Sequence, residues 1–317
     1  EMCIRDSIDP EQFFTSQLKD FKIAQTNFLN LQKALYRTLK GDHFLFQLQY
    51  NPERIRSTAA KVDEKTLKER KCFLCAANLL PGQKGIPYRN KYNIFINPYP
   101  IFDRHFTIPD RHHTPQLIDG RFGDMLMLAK DFPAYTFFYN GPKCGASAPD
   151  HFHFQMATRG VMPVEKEIEN CTVLRQTHSY QIGTIENYMR KIIVLTSDQP
   201  DLLENLFLQI LSLLSQNIPS QPEPMINLLC WYTSSYWNVI IFPRRGLRPR
   251  QFYEEGNDKI LFSPGCVDFA GLLVTPRKED YDRYTPELLA DLFGQLTLTN
   301  ETWEKLSSSL RTLIPTN

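Results

Sequence analysis

Apolar and polar residues alternate along this chain in two rhythms. From about Pro10 to Lys40 the apolar positions Phe13, Phe14, Leu18, Phe21, Ile23, Phe28, Leu29 and Leu31 recur at helical spacing, which predicts a helix or two. Phe44 to Tyr50 alternates with period two and predicts a strand, with Asn51-Pro52-Glu53-Arg54 turning the chain after it. The charged stretch from Lys61 to Lys71 predicts an exposed segment. Asn93 to Asn97, His105 to Ile108 and Tyr135 to Tyr139 predict strands, and Ile118 to Phe132 a helix. The second half repeats the mixture. Lys191 to Thr196 reads as a strand, Leu202 to Leu214 as a strongly apolar helix, and Ile226 to Tyr232 with Tyr236 to Phe242 as a hairpin. Phe269 to Thr275 reads as a strand and Leu288 to Leu306 as a closing helix. Hairpin-linked strands with interspersed helices predict an α+β fold with a largely antiparallel sheet.

One segment departs from simple amphipathicity. His151-Phe152-His153-Phe154-Gln155 alternates two histidines and a glutamine with two phenylalanines. On an extended strand the three polar groups share one face and the phenylalanines the other. A bare His-x-His fits an ordinary amphipathic strand as well as a reactive site. The glutamine in phase, and Gly141, Gly145 and Ser147-Ala148-Pro149-Asp150 leading in, favour the site. Imidazole has an unperturbed pKa of about 6.5 and can form covalent intermediates.

Composition narrows the classes. The 317 residues are 42% hydrophobic and 22% charged, with a formal net charge of +1. That is enough chain for one large domain or two coupled ones. The balanced charge gives no electrostatic case for a nucleic-acid or membrane partner, and no apolar run approaches a membrane span. Glu1 to Ser7 looks like the in-frame translation of a sequencing adapter and is set aside, and no secretory signal opens the chain. The remaining cysteines are Cys72, Cys75, Cys144, Cys171, Cys230 and Cys266. Without a signal peptide they are expected to be reduced thiols in a cytoplasmic protein. Cys72-Phe73-Leu74-Cys75 then reads as metal-binding or redox-active, or as a pair of plain buried thiols.

The His-x-His-x-Gln motif, with Asn140-Gly141-Pro142-Lys143-Cys144-Gly145-Ala146-Ser147 before it, resembles the histidine triad superfamily in its transferase branch. That branch includes the GDP-hexose phosphorylases, diadenosine tetraphosphate phosphorylase and galactose-1-phosphate uridylyltransferase. Further echoes lie at Asn227-Leu228-Leu229, Trp237, Phe242-Pro243-Arg244-Arg245 and Gly265 to Gly271, so the resemblance spans most of residues 44–280. It implies two tandem related halves, a catalytic one over residues 8–175 and one over 176–317 that completes the substrate site. It implies transfer of a nucleoside monophosphate group through a covalent nucleotidyl-histidine. His153 is the expected nucleophile, with His151 and Gln155 as its motif partners. Glutamine cannot protonate a leaving group but can donate to a phosphate oxygen, which favours a transferase over a hydrolase.

The same resemblance implies further site residues. Ser147 is expected to bind phosphate, with Asn140 and Asn97 as polar candidates. Arg54 is a candidate phosphate clamp, and Arg244 and Arg245 could meet a second phosphate or the sugar. Arg56 and Arg104 are weighed against a solvated surface role, and His105 against a packed strand histidine. The uridylyltransferases complete a Cys-Phe-Leu-Cys zinc site with two histidines, which implies a structural Zn2+ held here by Cys72, Cys75, His112 and His151, with His113 competing for the place of His112. The expected donor is a nucleotide sugar of GDP-hexose type, and the acceptor is inorganic phosphate or a sugar phosphate. A dinucleoside polyphosphate phosphorylase (an ATP adenylyltransferase), a hexose-1-phosphate uridylyltransferase and a non-catalytic nucleotide-binding protein are the alternatives. The uridylyltransferase reading is weakened by Phe152, where that family has proline. A homodimer is compatible with all of them.

Overall fold

A computed structural model describes residues 9–41, 43–55, 66 and 69–315. The adapter-like residues 1–7, Arg56 and most of the charged 61–71 stretch lie outside the described residues. Among the described residues two sheets form, one of three strands and one of ten. The small sheet has β1 (Leu35–Lys40), β2 (Leu45–Tyr50) and, parallel to β2, β13 (Leu272–Thr275). The large sheet draws on β3 (Gly85–Tyr88), β4 (Tyr92–Ile96), β5 (His105–Pro109), β6 (Tyr135–Asn140) and β7 (His153–Thr158) from the first half. From the second half it takes β8 (Thr172–Gln176), β9 (Tyr180–Thr184), β10 (Ile193–Ser197), β11 (Ile226–Thr233) and β12 (Tyr236–Pro243).

The large sheet is antiparallel throughout, in the order β3-β4-β5-β7-β6-β11-β12-β10-β9-β8. Counted inward from each edge, the two halves have the same connectivity: β3 matches β8, β4 matches β9, β5 matches β10, β7 matches β12 and β6 matches β11. The halves join where Asn227 to Cys230 pair with Asn140 to Phe137. In each half a helix separates the third strand from the fourth, Phe122–Asp131 (α3) in the first and Pro200–Asn217 (α4) in the second.

One face of the sheet packs under α3 and α4, around Phe152, Phe154, Met156, Leu228 and Phe207. Stacked Phe122 and Phe207, with ring centroids 4.0 Å apart, bolt these helices together. The other face carries a second core of Phe46, Phe138, Ala157, Leu229, Phe269 and Phe293, covered by the small sheet and the C-terminal segments. The alternation of β7 therefore holds: phenylalanines face the helices, and His153 and Gln155 face the second layer. Among the described residues no helix is long and apolar enough to cross a membrane.

Three local expectations need correction. The periodicity over 10–40 produces helices only at Pro10–Asp20 (α1) and Lys22–Leu31 (α2), after which the chain becomes the exposed edge strand β1. The closing helix is two, Pro286–Leu296 (α5) and Asn300–Thr312 (α6), each started by a threonine side chain that accepts from a backbone N–H. Cys266–Phe269 is a short helical turn, so only the end of the expected 269–275 strand is extended.

Candidate active site and metal centre

β7 begins at His153, so His151 stands just ahead of the ladder instead of within it. The difference separates the two histidines. His151 turns towards Cys72 and Cys75, and His153 faces a cavity of about 490 Å³.

His153 is buried, and its Nδ1 lies 2.9 Å from the carbonyl oxygen of His151. A carbonyl only accepts, so Nδ1 carries the proton and Nε2 keeps its lone pair. Burial, reinforced by the charge of nearby His151, holds the His153 pKa down to about 4, against the hydrogen bond to the His151 carbonyl. The strand here lacks an ordinary neighbour. Opposite His153 on β5 is Pro109, and β6 pairs with β7 only as far as Phe138 and Gln155. Gln116 fills the opening. Its Oε1 accepts from His153 N at 2.7 Å, and its Nε2 donates to the carbonyls of His153 at 3.0 Å and Asn140 at 2.9 Å.

The cavity wall includes Gln155, Ser147, Asn140, Asn97 and Arg54, so the structure brings these five sequence candidates together. Arg54 donates to the Tyr99 carbonyl at 2.9 Å, and burial lowers its pKa only to about 10, so it stays cationic near neutrality. Asn140 also pins the two halves together, its Oδ1 accepting from Asn227 Nδ2 at 2.8 Å and Cys266 N at 2.7 Å. Beside it Gly145 has φ of +90°, and a Cβ there would lie 2.7 Å from Gly265 Cα, so only glycine lets these two loops meet.

Arg244 is a correction. It lies fully buried away from the cavity wall, donating to the carbonyls of Pro264 at 2.7 Å, Gly246 at 3.0 Å and Leu247 at 2.9 Å. Its neighbour Arg245 donates to the Gly294 carbonyl, and Arg104 pairs with Glu11, so neither lines the cavity. Sequence reasoning missed Arg70 and Arg248, which do. Arg70 pairs with Asp150 at 2.7 Å and Arg248 donates to Ser263 Oγ at 2.8 Å. The position of Arg70 just ahead of the Cys-x-x-Cys was the available signal for one; nothing local marked the other.

Cys72, Cys75, His113 and His151 each bring one donor atom into a group within 4.8 Å. His113 takes the place expected of His112. The Asp110 carboxylate accepts from His112 N at 2.8 Å, and the turn leaves the His112 side chain exposed while His113 Nδ1 stands 3.2 Å from Cys75 Sγ. His151 Nδ1 is 3.3 Å from Cys72 Sγ and 3.5 Å from Cys75 Sγ. Zinc bonds of ordinary length in a tetrahedron imply donor–donor edges of roughly 3.3–3.8 Å, and these three contacts lie at or close to that range, so two thiols and two imidazoles here suit such an ion. The outer shell fits too. His151 Nε2 donates to the Asp110 carbonyl at 2.8 Å, which leaves Nδ1 bare, and Asp150 lies 3.7 Å from His113 Nε2. The thiols oppose one another electrostatically. Burial and the charge of Cys72 push Cys75 up to about 11, while Cys72 is held below its ordinary value, its burial outweighed by His151. A cation among them would relieve that repulsion. Four protein donors close the shell, so the ion would be structural and would anchor the residue two positions before His153.

The ladder ends at a histidine pair, one member turned to a thiol knuckle and the other to a cavity lined by both halves. Residues 163–315 match the family model described as GDPGP1-like, C-terminal domain, and residues 13–158 match a domain of unknown function, DUF4922. No curated protein matches the chain in sequence. In fold it is similar to the yeast Ap4A phosphorylase Apa2. The complex with AMP superposes with a TM-score of 0.59 at 14% identity, over 89% of this chain and 96% of that one. The complex with Ap4A gives 0.55 at 15% identity, over 87% and 96%.

Proposed function

We propose that the chain is a nucleotidyltransferase of phosphorylase type that moves a nucleoside monophosphate group from a nucleotide sugar, of GDP-hexose kind, to phosphate. The observation that carries this reading is His153 in the cavity wall with Nδ1 tied to the His151 carbonyl just ahead of its strand, which leaves the lone pair on Nε2. Nε2 attacks the α-phosphorus, and the P–O bond to the departing sugar phosphate breaks. An acceptor phosphate oxygen then attacks the same phosphorus and the P–N bond breaks, restoring neutral imidazole. Gln155, Ser147, Asn140, Asn97 and Arg54 meet the phosphate oxygens, and charge stabilisation of this kind supplies most of the rate. The first half, residues 8–175, carries the chemistry. The second, 176–317, closes the cavity with Arg248, Ser263 and Gly265. The GDPGP1-like C-terminal domain favours a guanine nucleotide sugar as donor.

In this reading Zn2+ is the ion of the Cys72, Cys75, His113 and His151 group, and the free thiols suit a cytoplasmic protein. A dinucleoside polyphosphate donor is the second reading, favoured by the likeness in fold to the yeast Ap4A phosphorylase. Intact-protein mass spectrometry after incubation with GDP-glucose, UDP-glucose or diadenosine tetraphosphate, without phosphate, tests both. A gain of one GMP that disappears in His153→Ala is the expected result. A gain of AMP from diadenosine tetraphosphate supports the second reading. No gain with any donor defeats the covalent mechanism.

A further inference from the structure

We propose that His105 is a positioning residue whose ring N–H locks the Gln155 amide so that it presents –NH2, and never C=O, to a phosphate in the cavity. The inference rests on the transferase reading above.

His105 is 1% exposed on β5, paired with Ala157, two residues along from the Thr107–Gln155 pair, and so on the same sheet face as Gln155. Its ring cannot turn freely. Phe138 stacks on it at 5.9 Å, and Phe102 meets it at 86° with centroids 5.4 Å apart. The Ile101 backbone N–H points at Nδ1 from 3.3 Å. A backbone N–H only donates, so Nδ1 holds the lone pair and Nε2 holds the proton. Nε2 lies 3.1 Å from Gln155 Oε1, which therefore accepts.

The nearby amide of Asn97 cannot substitute for that acceptor. Its Nδ2 is 3.4 Å from His105 Nε2, but its Oδ1 accepts from Tyr99 N at 2.9 Å and its Nδ2 donates to Thr107 Oγ1 at 3.1 Å. Asn97 is fixed the other way round. Gln155 is left with its oxygen towards the strand and its –NH2 as the end offered to the cavity. Reversing that amide would set a carbonyl oxygen against phosphate oxygens and turn an attraction into a repulsion. The device holds across the neutral range, since burial first, and then the charge of Arg54, keep His105 neutral with a pKa of about 3, the bond to Gln155 opposing them.

Two substitutions separate positioning from packing. His105→Asn keeps an acceptor near the Nδ1 position and loses the Nε2 donor; His105→Gln places an amide nitrogen near Nε2. Rapid-quench mass spectrometry would follow formation of the nucleotidyl-histidine with whichever donor loads the wild type. His105→Asn should slow adduct formation roughly 10- to 100-fold, His105→Gln should recover most of it, and His105→Asn with Gln155→Ala should be no slower than Gln155→Ala alone. Histidine 15N NMR on the unliganded protein should show His105 as the Nε2–H tautomer at pH 7. An Nδ1–H signal overturns the proposal without any donor. A wild-type adduct rate in His105→Asn, or losses that multiply in the double variant, also overturns it while leaving the transferase reading intact. Failure of the wild type to form an adduct with every donor overturns the transferase reading itself.

Discussion

Gln116 holds the backbone of His153 on both sides, accepting from its N–H and donating to its carbonyl, with bonds of 2.7 and 3.0 Å. A side-chain amide here does the work of a missing strand neighbour, and does it at His153, the proposed nucleophile. Gln116→Ala would strip partners from His153 N, His153 O and Asn140 O, all buried. Each orphaned group costs about 1–3 kcal/mol, softened where water enters, so a loss of roughly 2–4 kcal/mol is expected in urea unfolding. Turnover should fall more steeply than stability predicts. A variant as active and as stable as the wild type would show that the grip on His153 is dispensable.

The thiol–histidine group distinguishes adjacent histidines. Cys72→Ser and His113→Ala should each lower bound zinc, measured by plasma mass spectrometry, and lower the melting temperature with it. His112→Ala should leave both within error. Loss of metal from His112→Ala with retention in His113→Ala would reverse the assignment made by the geometry.

Glu223 gives the stability a pH dependence. Burial first raises its pKa from 4.5 to about 7, with Asp119 adding to the rise and hydrogen bonds from Ile118 N and Tyr139 opposing it. Between those values the folded chain keeps a proton that the unfolded chain releases. Its contribution is therefore complete below pH 4.5 and is lost as the pH rises through about 7. Glu223→Gln keeps an acceptor for Ile118 N and should flatten this slope, so it should melt above the wild type at pH 8. Parallel melting curves for the two proteins from pH 5 to pH 8 would refute the assignment.

Arg244 should behave as a structural staple. Arg244→Met would leave the buried Pro264 carbonyl and the half-buried Gly246 and Leu247 carbonyls without their donor, and charged donors of this kind contribute about 1.5–3 kcal/mol each where water is excluded. Unfolding free energy should drop by roughly 3 kcal/mol or more. A raised KM at unchanged stability would instead restore its place at the ligand.

The parts of the fold legible in the sequence are those whose burial is one-sided or complete. β4 to β7 and β10 to β12 alternate, or run apolar, because they lie between two cores. β1 and β8 were not legible, since edge strands exposed along one flank need no apolar rhythm; no position of Leu35–Lys40 is buried. Within the site, His153, Gln155 and the two cysteines carried strong local patterns. The choice between His112 and His113 did not, because it is made by one hydrogen bond to the Asp110 carboxylate. Gln116 had no signal at all. Its role exists only because Pro109 and the end of β6 leave the His153 backbone short of partners, and that is a property of three segments meeting.

The mirrored strand order bears on stoichiometry. β12 is the counterpart of β7 in the second half, yet it follows β11 after only Ser234 and Ser235, whereas residues 141–152 separate β6 from β7. That longer passage is what delivers Ser147, the thiol-facing His151 and the approach of Gly145 to Gly265. β12 has neither the passage nor a histidine. A molecule with two halves of one topology thus carries the histidine pair in one half alone, and on the proposed mechanism its burst should saturate at a single nucleotidyl equivalent per chain.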